Sequence, residues 1–93
     1  MSIIQRTSLC AVIERFPRRK TAVRQLFKEN NSFQTLCEDY RKCAEALRYW
    51  SQSTSEEAVD RREEYAVLLR DLEAEILENL ASYRYKRPRI VKE

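Results

Sequence analysis

The sequence predicts an all-α protein, a small helical bundle built on an antiparallel helical hairpin, and three observations carry that prediction. Apolar residues recur at intervals of three and four over two long stretches, 33–50 and 58–83, without the strict alternation a half-buried strand needs. A polar break, Ser51-Gln52-Ser53-Thr54-Ser55, separates the two stretches. The 93 residues include no glycine and only two prolines, Pro17 and Pro88, so no helix breaker falls between them.

Taken in order, the first element is short: Ser8 is placed to cap a turn through Leu9, Val12, Ile13 and Phe16 that ends at Pro17. Pro17 suits the first turn of the next helix, about 17–29, in which Ala22, Val23, Leu26 and Phe27 fall at helical spacing. Asn31, with Gln34 three residues later, signals the start of a helix over about 32–50. Its apolar side is Phe33, Leu36, Cys37, Tyr40, Cys43, Ala44, Leu47 and Trp50. Ser53 followed by Glu56, or Thr54 followed by Glu57, marks the longest helix, about 55–83, with Ala58, Tyr65, Leu69, Leu72, Ile76, Leu80 and Tyr83 along one stripe. Trp50 is expected to close the hairpin end against Ala58 or Val59. Residues 1–83 then form a single helical domain, and 84–93 a basic C-terminal tail.

The two hairpin helices differ in length, about 27 Å against about 40 Å at 1.5 Å per residue, so the last turns of the longer one need cover. Its apolar arc is also broad, with Val59, Ala66 and Leu77 on one side of the stripe and Leu68 on the other. The helix at 17–29, a second protomer, or both must complete it, as in a coiled coil. This makes Val23, Leu26, Phe27, Leu77 and Leu80 the candidate apolar interface.

Phe16-Pro17, Leu26, Asn30, Phe33, Leu36 and Tyr40, followed by Glu64-Tyr65, Leu69, Leu72 and Glu75-Ile76-Leu77, give the stretch from Phe16 to Leu80 a pattern that resembles the YdcH-like family of short bacterial proteins. The resemblance implies a small cytosolic helical hairpin of unassigned activity, and it transfers no functional residue. The extension before Phe16 and the basic tail after Tyr83 depart from the family pattern.

Composition excludes most chemistry. Without glycine there is no phosphate-cradling loop, dinucleotide fingerprint or nucleophile elbow, and without histidine the commonest general base and metal ligand are missing. Adjacent acids such as Glu63 and Glu64 point in different directions on a helix and form no acid/base pair. Cys10, Cys37 and Cys43 lack zinc spacing, and Cys37 and Cys43 are read as core thiols. The reading is therefore of no enzyme, with no catalytic, cofactor-binding or metal-binding residues, no cofactor and no small-molecule substrate.

The charges are segregated: residues 1–24 hold six basic and one acidic residue, 25–82 seven basic and thirteen acidic, and 83–93 five basic and one acidic. The hairpin is expected to bring Arg18, Arg19, Lys20, Arg84, Lys86, Arg87 and Arg89 into one basic pole able to attract an anionic partner. The acidic residues near the 51–55 loop read as helix-dipole partners and a solvated face. No apolar run reaches bilayer-spanning length, and Leu9–Ile13 is too short for a signal-peptide core, so the expectation is a cytoplasmic protein without membrane insertion. Function is expected to be binding of a protein partner or of the chain's own copy, with nucleic-acid binding through the basic termini as the alternative.

Overall fold

The computed structural model describes the backbone of residues 1–86 and the side chains of residues 1–83. Four α-helices follow one another: α1 (Ile3–Arg15), α2 (Lys20–Glu29), α3 (Asn31–Gln52) and α4 (Ala58–Lys86), with a single 3-10 turn, Pro17–Arg19, between α1 and α2. Among the described residues there is no strand.

The helix starts show where local chemistry acts. α1 begins at a reciprocal cap: the Gln5 N–H donates to Ser2 Oγ and the Ser2 N–H to Gln5 Oε1, both at 3.1 Å. Ser8, expected as a cap, instead lies inside α1 at 0% exposure and donates to the Ile4 carbonyl at 2.9 Å. The residue before a proline is held out of the helical region, and Phe16 takes φ −127°, ψ 64°, so α1 ends there. Pro17 then opens the 3-10 turn rather than α2 itself.

Asn30, extended at φ −136°, ψ 110°, separates α2 from α3 and caps α3 by accepting the Phe33 N–H at 2.9 Å. The cap thus sits one residue before the expected Asn31. Gln34 does not reach back to complete a capping box. Its Nε2 donates to the Phe27 carbonyl at 2.6 Å, satisfying one of the acceptors left open at the end of α2. α3 runs two residues past Trp50. In the loop, Ser53 Oγ accepts the Ser55 N–H at 3.2 Å, so Ser53 ties the turn instead of pairing with Glu56. α4 starts at Ala58, later than expected, and its backbone continues through Arg84–Lys86.

α3 and α4 form the antiparallel hairpin: Cys43 Sγ meets the Tyr65 carbonyl at 3.4 Å, and Arg62 Nη1 meets the Trp50 carbonyl at 3.5 Å nearer the loop. α1 and α2 pack on the half of this hairpin remote from the loop. There Val12, Phe16, Val23, Leu26, Phe27, Phe33, Leu36, Cys37, Tyr40, Ile76 and Leu80 form one core. Each large side chain so buried contributes about 1.5–3 kcal/mol relative to exposure. α2 therefore covers the last turns of α4, one of the two covers the sequence allowed for. The radius of gyration, 15.5 Å, exceeds the roughly 12 Å of a compact chain this long, because the core occupies one end of an elongated hairpin. Toward the loop, α4 has no fully buried residue between Ala58 and Ile76.

Candidate interaction surfaces

The most developed polar cluster is internal. Arg15, at the end of α1, donates from Nε to Glu73 Oε2 at 2.8 Å and from Nη2 to Oε1 at 3.1 Å, and Tyr40 Oη donates to Oε2 at 3.4 Å. Three helices thus meet at one α4 carboxylate. Hydrogen bonding to Glu73 raises the Arg15 pKa, while burial, reinforced by the Glu73 charge, raises that of Tyr40. Arg15 also lies over the Phe16 ring, 4.9 Å from its centre. A second cluster satisfies buried Ser8, whose Oγ accepts from Arg41 Nε at 3.0 Å while Arg41 Nη1 reaches both oxygens of Glu45. Both clusters position helices. Neither lines a cleft with a nucleophile or a base, and of their contacts only the i,i+4 pair Arg41–Glu45 follows from sequence spacing.

The expected apolar interface divides on folding. Val23, Leu26 and Phe27 of α2 and Leu80 of α4 are buried in the chain's own core, where α2 packs on α4. Leu77 stays 39% exposed. Larger exposures occur nearer the loop, at Val59 (60%), Val67 (48%) and Leu68 (45%). Val59 thus does not close the hairpin end, whereas Ala58 is buried there. Trp50 is half-buried and stacks edge-to-face on exposed Tyr49, ring centres 5.0 Å apart.

Of the expected basic pole, only the side chains of Arg18, Arg19 and Lys20 lie among the described residues. The end of α4 shares a cleft with the far end of α2: Leu26, Glu29 and Asn30 face Asn79, Ser82 and Tyr83. Arg18, Arg19 and Lys20 lie at the opposite end of α2, whose ten residues measure about 15 Å. Arg18 and Lys20 are exposed, and Arg19 is half-buried with its Nη1 out of solvent and unbonded among the described residues. The side chains of Arg84 and Lys86, and Arg87 and Arg89 altogether, lie outside the described residues. What the fold does display is an exposed row at four-residue intervals along α2: Lys20, Arg24 and Lys28. Arg24 and Lys28 border a groove of about 360 Å³ between α1 and α2 with Leu9, Thr21 and Gln25.

A second groove, about 310 Å³, runs between α3 and α4 and is lined by Cys43, Ala46, Tyr65, Leu68 and Leu72, with Asp39 and Lys42 at its edge. The cysteines are free thiols, Cys37 and Cys43 buried and Cys10 exposed. Burial pushes the Cys37 thiol up to about 12, the reverse of what a nucleophile needs. Among the described residues no three histidine, cysteine or acidic side chains are grouped to hold a metal ion, and no helix is long and apolar enough to cross a membrane. No family model, no curated protein and no solved structure matches the chain.

Proposed function

We propose that this is a non-enzymatic cytoplasmic binding protein that presents the loop-side half of its α3–α4 hairpin to another protein or to its own copy. One observation carries the reading: α1 and α2 bury the remote half of the hairpin, while α4 between Ala58 and Ile76 has no fully buried residue and exposes Val59, Val67 and Leu68. Exposed apolar side chains on a stretch of helix that nothing fully covers are the usual mark of a contact site. The likeness to YdcH-like helical hairpins belongs to the same proposal and supplies no activity of its own.

The test is affinity capture from the source cells with the intact chain and with Val67→Asp, at two salt concentrations, with and without nuclease. A protein retained by the intact chain, lost with Val67→Asp and indifferent to nuclease supports the reading. Capture that disappears on nuclease treatment and with rising salt, while Val67→Asp has no effect, overturns it in favour of nucleic-acid binding through the cationic residues.

A further inference from the structure

We infer that the occupant of the outer α4 face is α4 of a second copy, packed antiparallel about a two-fold axis that passes between Ala66 and Val67. This rests on the reading of the loop-side half as a contact surface and names its partner. Val59, Glu63, Ala66, Arg70 and Ala74 follow at steps of four, three, four and four residues, which keeps them in one stripe along the helix. Within it Val59, Glu63, Arg70 and Ala74 are exposed, and only Ala66 is half-buried. The stripe lies within the segment of α4 that has no fully buried residue.

The charges in the stripe choose the partner. Glu63 and Arg70 stand seven residues, about 10.5 Å, apart on the same side of the helix. Neither makes an ion pair or hydrogen bond among the described residues, although nearby Arg61 pairs with Glu64 on the same helix and with Glu57 just before it, and Arg15 pairs with Glu73. An antiparallel copy centred between Ala66 and Val67 sets Glu63 opposite Arg70 of the other chain, and the symmetry makes this happen twice. The same register sets Val59 opposite Ala74, a large side chain against a small one, again twice. At the axis, Ala66 of each chain faces Val67 of the other. A parallel pair would set Glu63 against Glu63 and Arg70 against Arg70, so the stripe is complementary to itself in one direction only.

Sedimentation equilibrium of the intact chain over a concentration series tests this directly. The mass should rise from one chain to two with concentration. Arg70→Glu, which places carboxylates opposite one another at both ends of the contact, should raise the dimer dissociation constant by about tenfold or more, and Glu63→Arg should do the same. The double exchange E63R/R70E should restore it to within about threefold, because the pairs are regenerated with their signs reversed. Val67→Asp should leave only monomer. All four variants change exposed positions, so unchanged helical circular dichroism and melting temperature establish that each monomer is folded. A dimer indifferent to Val67→Asp, or one that the double exchange fails to restore, overturns this arrangement. A chain that is monomeric throughout while Val67→Asp still abolishes nuclease-resistant capture removes the second copy as occupant and leaves the contact surface standing. Monomer with no effect on capture removes both.

Discussion

At the scale of single residues, the three cysteines behave differently because of where the helices put them. Cys10 is exposed on α1, whereas Cys37 sits at 0% exposure in the core beneath α1 and α2. Burial, and after it the neighbouring Glu38 charge, lifts the Cys37 thiol from 9.0 to about 12. In the unfolded chain the same thiol ionises near its ordinary value, so its contribution to stability is complete below about pH 9 and is lost as the pH climbs toward 12. Tyr40 and Cys43 are raised too, both first by burial, and add to the same alkaline loss. Urea midpoints should therefore fall between about pH 9 and 12, and Cys37→Val should flatten part of that fall. At neutral pH a thiol reagent should modify only Cys10 in the folded chain and all three cysteines in urea. Rapid labelling of Cys37 without denaturant would contradict its burial in the core.

At the scale of elements, periodicity and caps behave differently as signals. The spacing of Leu36, Tyr40, Cys43 and Leu47, or of Tyr65, Leu69, Leu72 and Ile76, repeats over many turns, so displacement of a boundary by two residues leaves the pattern intact. A cap is one side chain, and two asparagines stand side by side at the start of α3. Only backbone geometry separates them: Asn30 is extended and accepts from Phe33, and Asn31 is already helical. Asn30→Ala should accordingly cost about 1 kcal/mol, and Asn31→Ala should stay within about 0.5 kcal/mol of the parent in urea unfolding. Equal losses would reject this assignment. Contacts across elements left no trace in the sequence for a related reason. Arg15 and Glu73 are 58 residues apart, and Gln34 serves Phe27 rather than its own cap, so no local spacing encodes either. The candidate surface was legible in outline, since Val59, Ala66 and Leu77 stood out beside the main stripe. Val23, Leu26, Phe27 and Leu80 are buried where α2 packs on α4 within the chain, which is the intrachain one of the covers the sequence allows.

At the scale of the whole molecule, the unequal distribution of the core decides where the fold opens. Local opening costs little where few apolar contacts are broken and approaches the global unfolding energy where a packed core is broken. Near one end, Val12, Val23, Phe27, Phe33, Ile76 and Leu80 are all nearly or fully removed from solvent. Near the other, α3 and α4 pack on one another, burying Ala58 and Cys43 but leaving Leu47, Trp50 and Tyr65 only half-buried. Surface ion pairs such as Arg61 with Glu57 and Glu64 contribute at most about 1 kcal/mol each and do not redress the difference. Native-state hydrogen exchange should therefore rank the amides by position: those of residues 47–70 should exchange through openings of lower free energy than those of 33–40 and 76–80. Because association stabilises the folded chain against any opening that requires dissociation, raising the protein concentration should slow exchange in 59–74 and in core amides that open only by global unfolding. Uniform protection along α4 at low concentration would mean that the two-helix half is as stable as the four-helix half and that uneven burial does not set where the fold opens.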